Sequence, residues 1–241
     1  MNKQKLVRFI NKYYLNGIAD SVVLKSNSSE QKLVTKFVSS DKTLLGIIQM
    51  DRWNFEDANI GVYTTEQLLK LLSVLDEDIN VSITKSGDKT ISMKISDSSS
   101  SVNYMLSDTS IISKPPQLKT VPNFELKIDV TPNFMNKFIA GKGALVDTDN
   151  FTVITNGSET KLVIGYASIN TNRVIIPVTT KESSNIDNVS FNANIFKEIL
   201  SANKECESAT LQVSSEGLSK ISFNVDDFSV TYWLVASKND D

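Results

Sequence analysis

The sequence predicts an α+β protein built from two similar domains, each with two helices packed side by side on antiparallel sheets. Three observations carry this. Four segments have the apolar spacing of amphipathic helices and lie among many short, alternating or β-branched segments. The helical starts recur roughly every 60 to 67 residues, the mark of an internal repeat of one helix plus several strands. A proline-bearing stretch separates the second repeat from the third. Short strands joined by tight turns pair antiparallel, and an amphipathic helix must bury its stripe against another layer.

In chain order, the first helix runs from Lys3 to Tyr14, with Leu6/Ile10 and Phe9/Tyr13 stacked at four-residue spacing. Strands follow at Val22 to Lys25, Leu33 to Val38, Leu44 to Met50 and Asn59 to Val62, separated by Ser, Gly and Asp clusters that form turns. The second helix, Thr65 to Leu75, pairs Leu68/Leu72 and Leu71/Leu75, and Thr64 with Gln67 makes a capping box at its start. Strands Ile79 to Thr84 and Ile91 to Ile95 form a hairpin around Gly87 and Asp88, and Val102 to Leu106 completes the half. Pro115, Pro116 and Pro122 forbid helix, so domains are expected at 1–110 and 124–241 with a linker at 111–123.

The second half repeats the theme. Phe124 to Val130 is a strand, and Thr131 then caps a helix that starts on Pro132 and is expected to stop near Ala140, before Gly141 and Gly143. Strands are expected at Phe151 to Thr155, Lys161 to Tyr166, Arg173 to Val178 and Val189 to Phe191. The fourth helix, Ala193 to about Asn203, begins after Asn192 and pairs Ile195/Ile199 and Phe196/Leu200. Three strands end the chain at Thr210 to Val213, Ile221 to Val225 and Ser229 to Val235.

Composition excludes several classes. With 40% hydrophobic and 22% charged residues over 241 positions, the chain is ordered rather than disordered or fibrous. Cys206 is the one cysteine, so no internal disulfide exists, and neither a signal peptide in Met1 to Ile10 nor a membrane span is evident, which makes the cytoplasm the simplest expectation. Histidine is absent, which removes the commonest general base and metal ligand and leaves Cys206 without a catalytic partner. Gly141-Lys142-Gly143 lacks the earlier glycine and the following Ser/Thr of a phosphate loop. Asp147/Asp149 and Asp76/Glu77/Asp78 could hold a divalent ion, but their turn context favours capping or solvation. No enzyme activity, cofactor or metal is expected.

The net charge of −3 argues against a generally basic, DNA-wrapping surface. Placement of charge says more. Lys5, Arg8 and Lys12 fall at i, i+3 and i+7, nearly opposite the apolar stripe of the first helix, with Lys3 at its start. The same rotation turns Lys70, Lys137 and Lys197 away from their stripes, with Lys142 and Lys204 near helix ends. Acids gather in loops and the tail: Asp76, Glu77, Asp78, Asp226, Asp227, Asp240 and Asp241. Lysines opposite an apolar stripe are ordinarily just solvated. Repetition over four helices gives the second reading, that a pseudo-symmetric fold gathers them on one surface able to face phosphates.

Two segments carry a family resemblance. Ile10 to Lys25, INKYYLNGIADSVVLK, and Phe55 to Ile83, FEDANIGVYTTEQLLKLLSVLDEDINVSI, resemble the sliding clamps of T-even-type bacteriophages, relatives of the cellular polymerase clamps. The likeness runs on to Leu106, and the second half matches in layout and length. It implies the DNA clamp fold, with a head-to-tail homotrimer closing into a ring whose hole is lined by helices. It also implies double-stranded DNA as an encircled, non-specific partner, along with a DNA polymerase, a clamp-loader ATPase and late-transcription factors.

Lys3, Lys5, Arg8, Lys12, Lys70, Lys137, Lys142, Lys197 and Lys204 are the expected DNA-facing cations. Pro177 marks Arg173 to Val178 as an edge strand, since proline cannot donate to a ladder. By the resemblance Arg173, Ile175 and Pro177 meet Val102, Tyr104 and Leu106 of the neighbouring copy. Ile111, Ile112, Leu118 and Val121, with Leu44, Leu45, Trp233 and Val235, form either a pocket for a partner peptide or ordinary core and linker packing. The competing function is a β-rich virion or scaffold protein, which internal duplication and strand edges would serve equally well.

Overall fold

The computed structural model describes residues 1–87, 89–118, 120–156, 159–167, 169, 171–182 and 185–237. Asp88 of the expected hairpin and Asp240 and Asp241 of the acidic tail lie outside the described residues. The chain divides into two compact units: Met1–Ser40, Gly46–Pro116 and Asp227–Ser229 in one, and Asp41–Leu45, Gln117–Asp226 and Val230–Asp241 in the other. The break after Pro116 falls inside segment 111–123, whereas the two short exchanged segments have no sequence signal. No helix among the described residues is long and apolar enough to cross a membrane.

The first unit holds α1 (Lys3–Tyr14), β1 (Val22–Asn27), β2 (Lys32–Val38), most of β3 (Leu44–Asp51), β4 (Ala58–Val62), α2 (Thr65–Leu72), β5 (Asn80–Ser86), β6 (Lys89–Ser96) and β7 (Ser101–Met105). Its strands run in the orders β4-β1-β2-β3 and β5-β6-β7. The second unit holds β8 (Leu126–Val130), α3 (Pro132–Ala144), β9 (Asn150–Asn156), β10 (Glu159–Ile164), β11 (Val174–Val178), β12 (Thr180–Glu182), β13 (Val189–Asn192), α4 (Ala193–Ala202), β14 (Ala209–Ser214), β15 (Leu218–Val225) and most of β16 (Phe228–Val235). Its orders are β13-β9-β10-β11 and β12-β8-β14-β15-β16. The four strands β1 to β4 between α1 and α2, and the four of the five strands between α3 and α4 that share a sheet (β9, β10, β11 and β13), thus adopt the same 4-1-2-3 order, in which the fourth strand returns beside the first. That is the internal duplication the helix spacing predicts. Alternating burial along β1, β2 and β3 leaves one face of each strand in the core.

Local chemistry sets the helix ends. The Asn2 side chain caps α1 by accepting from the Lys5 amide, and Leu15, at φ 45°, closes it by donating its N–H to the Asn11 carbonyl. Thr131 and Asn192 cap α3 and α4 as expected, through the Phe134 and Ile195 amides. The capping box at Thr64 does not form. Instead Asp20 supplies both acceptors for α2: its carboxylate takes the Glu66 amide at 3.2 Å and its carbonyl takes Thr65 N at 3.1 Å. Thr64 is occupied by Tyr104, whose hydroxyl accepts from its amide and donates to its carbonyl, both at 3.1 Å.

α3 also departs from expectation by running through Gly141 and Gly143 to Ala144. Gly141 is there for proximity. A Cβ on it would sit 3.0 Å from Val174 Cγ1 and 3.3 Å from Ile164 Cδ1, so the glycine lets the helix lie close on β10 and β11.

Within the first unit α1 packs against α2, and the hydroxyl of the wholly buried Tyr13 accepts from Thr65 Oγ1 at 3.2 Å. Burial pushes its hydroxyl pKa well up, so it stays neutral. Within the second unit α3 packs on α4 through Phe138, whose ring meets Phe196 edge-on at 4.9 Å and Phe151 at 5.1 Å. Gly61 in β4 is the tightest backbone approach. Its Cα faces the Ser107 carbonyl, and an added Cβ would lie 2.2 Å from that oxygen. Gly61→Ala is expected to cost about 3 kcal/mol, because backbone rather than a side chain must yield. A denaturation midpoint equal to that of the parent would contradict this reading.

Candidate nucleic-acid interface

On α1 the apolar stripe Leu6, Phe9, Ile10 and Tyr13 is buried as its spacing requires. The opposite row is not a free cationic face. Lys12 is fully buried, with Nζ 5.3 Å from the Phe228 ring centroid, so its expected exposure to DNA is overturned. Arg8 is half-buried, with Cζ 4.9 Å from the same ring. Lys5 is paired with Asp227 at 2.6 Å and donates to the Asp51 carbonyl at 2.9 Å. Lys3 donates Nζ to the Leu75 carbonyl, three residues beyond the end of α2. The segment Asp227–Ser229 of the same unit covers the far side of the helix, which a helical wheel cannot reveal.

On α2 Lys70 remains exposed, 2.5 Å from Glu66 one turn earlier, and that hydrogen bond raises its pKa and keeps it charged. In the second unit Lys137 and Lys204 are exposed and Lys197 is half-exposed, 3.5 Å from Glu198. Lys142 is buried. Because α3 extends past it, its Nζ turns back to cap the helix, donating to the Leu145 carbonyl at 3.1 Å and the Val146 carbonyl at 2.8 Å. It is withdrawn from the DNA-facing set. Of the expected set, Lys70 on α2, Lys137 on α3, Lys197 on α4 and Lys204 just beyond α4 therefore remain to present charge to solvent.

The two expected contact strands are outermost in their sheets: β7 in β5-β6-β7 and β11 in β11-β10-β9-β13. On β11 Arg173 (just before it), Ile175 and Pro177 are exposed, while Ile176 is buried. On β7 Val102 is half-buried and so is Leu106, just beyond it. Tyr104 is the exception: its ring is buried and its hydroxyl is held by Thr64, so only its backbone is available to a neighbour.

The residues grouped as a peptide pocket separate by burial. Leu44 and Ile112 are core, and Ile112 packs under Gly61, so neither can wall a pocket. Leu45 and Trp233 are half-buried, and Ile111, Leu118, Val121 and Val235 are exposed. Ile111 and Ile112 belong to the first unit and the other six to the second. Of the acidic clusters, Asp149 accepts from Asn194 and from the Ala193 amide at the start of α4, a capping role, and Asp76, Glu77 and Asp78 are exposed, with Asp78 in an antiparallel bridge to Asn2.

No family model matches the sequence, and no curated protein matches it. Solved structures do match. The proliferating cellular nuclear antigen of Entamoeba histolytica superposes with a TM-score of 0.75 at 12% identity, covering 98% of this chain and 96% of that one. The A. fulgidus PCNA bound to the C-terminal region of FEN-1 gives 0.78 at 14% identity, over 100% and 98%. The Thermococcus kodakaraensis PCNA gives 0.74 at 11% identity, over 98% of each. The chain has the DNA clamp fold.

Within the clamp fold, one cation escapes sequence reasoning altogether. Arg52 follows β3 with a left-handed backbone, φ 54°, is 79% exposed at its side chain, and lies 2.6 Å from Asp227. It sits outside any helix, so the periodicity that selects the other cations passes over it. Its signal is the Asp51-Arg52-Trp53 turn chemistry at the end of a strand, which specifies no direction for the side chain.

Proposed function

We propose that the chain is a sliding clamp of bacteriophage type, that three copies join head to tail into a ring around duplex DNA, and that the ring tethers a replicative DNA polymerase. The observation that carries this reading is likeness to clamp structures along essentially the whole chain. Exposed Lys70, Lys137, Lys197 and Lys204 support it, since duplex DNA is a regular array of charge that mobile lysines attract without reading bases. Enclosure rather than affinity retains such a protein, which catalyses nothing itself. Tethering raises the polymerase's effective concentration at the primer end to about the millimolar range.

Ring closure needs heterologous contacts, and the outermost strands β7 and β11 offer unpaired edges for them. Partner peptides, from the polymerase or from late-transcription factors, would anchor on the half-buried Leu45 and Trp233 and the exposed Val235. A loader ATPase would open the ring, in the cytoplasm of the host cell. The test is primer extension with the cognate polymerase and loader at limiting polymerase. Longer products in the presence of this chain are expected, and unchanged product length contradicts the proposal. Light scattering separates the scaffold-protein alternative: a closed trimer in dilute solution supports the clamp, open-ended assemblies the scaffold.

A further inference from the structure

The segment Asp227–Ser229 belongs to the first compact unit and lies on the cationic row of α1. The Asp227 carboxylate takes Lys5 Nζ on one oxygen at 2.6 Å and Arg52 Nη2 on the other at 2.6 Å. Its carbonyl accepts from the Asp51 amide at 2.8 Å, and Lys5 Nζ also donates to the Asp51 carbonyl at 2.9 Å, so the carboxylate is fixed from both ends. Phe228 next to it holds Arg8 and Lys12 over its ring. Cations converging on a two-oxygen anion form the arrangement that also takes a phosphate.

We propose that Asp227 is a built-in competitor for DNA phosphate, holding Lys5 and Arg52 about one carboxylate that cancels one of their two charges, so that the backbone of the duplex engages Arg52 only by displacing a carboxylate. This rests on the sliding-clamp reading and adds a regulation to it. Arg52 is the group that exchanges, because its side chain is 79% exposed while that of Asp227 is 16% exposed. The hydrogen bond from Lys5, with the charges of Arg52 and Arg8, holds the Asp227 carboxyl below its ordinary pKa, so the competitor is ionised at neutral pH. Because the Asp227 side chain is only 16% exposed and its backbone is held by the Asp51 amide, the carboxylate stays beside Lys5 and Arg52 when phosphate arrives, and the three groups offer DNA one net positive charge rather than two. Movement from one phosphate to the next then exchanges one anion for another and never strips a bare charge, which suits a protein that must travel.

The experiment measures binding to linear duplex against salt concentration for the full chain, alongside retention on loaded nicked circles. Asp227→Asn keeps the shape and removes the charge, and it should steepen the log–log salt slope by about one. Arg52→Gln should make it shallower by up to about one, and the double variant should return to the parent slope. An unchanged slope in Asp227→Asn overturns the inference. So does Arg52→Gln that behaves like the parent, a measurement that stands even if the first variant fails to fold, because position 52 is exposed. If the parent itself is not retained on nicked circles, the clamp reading fails. If the parent is retained and the slopes coincide, the competitor role alone falls.

Discussion

Phe138→Ala is expected to destabilise the second unit by about 3–5 kcal/mol. Phe138 is wholly buried on α3, and its ring is the shared neighbour of Phe134 on its own helix, Phe151 on β9 and Phe196 on α4. Removing it empties the joint between the helices and the sheet, and the surrounding rings are too rigid to collapse into the space. The chain has two tryptophans, Trp53 in the first unit and Trp233 in the second. In a Trp53→Phe background the urea transition followed by Trp233 fluorescence should therefore move to much lower denaturant. A shift below about 1 kcal/mol would mean that the aromatic cluster is not what holds α3 and α4 together.

The largest functional effect is expected from replacing Lys70, Lys137, Lys197 and Lys204 together by glutamine. Each is at the surface, and the pairs with Glu66 and Glu198 are of the solvent-exposed kind that contributes little stability, so folding should be nearly unchanged. Attraction to duplex DNA should fall on the order of 100-fold at low salt, with a salt slope shallower by about three to four. The same substitution at Lys142 alone should instead loosen the end of α3 and leave DNA attraction intact, since its ammonium is spent on the Leu145 and Val146 carbonyls. An unchanged slope in the fourfold variant would remove these helices from the DNA-facing role.

Much of the fold was legible because it rests on local, periodic signals. The Leu6/Ile10 and Ile195/Ile199 stripes fix which helix faces are buried, and Thr131, Asn192 and Pro132 fix where helices begin. What was hidden depends on residues far apart in sequence. Asp20 replaces Thr64 as the cap of α2 because the turn after α1 brings it there. Gly141 reads as a helix stop and in fact permits the helix to lie close on β11. β12 is three residues long, too short to display an alternation. Candidate site residues were harder for the same reason. A helical wheel gives the direction of Lys12 but not that Phe228 lies across it, and it gives no direction at all for Arg52.

The measurement that bears most directly on the ring is retention on DNA of fixed topology. Loaded onto nicked circular duplex and passed through a sizing column at moderate salt, the protein should travel with the circle. A single restriction cut should release it, because a sliding ring leaves through a free end. Equal retention on circle and linear duplex would mean that affinity, not enclosure, holds it there, and no retention on either would mean that it does not encircle DNA.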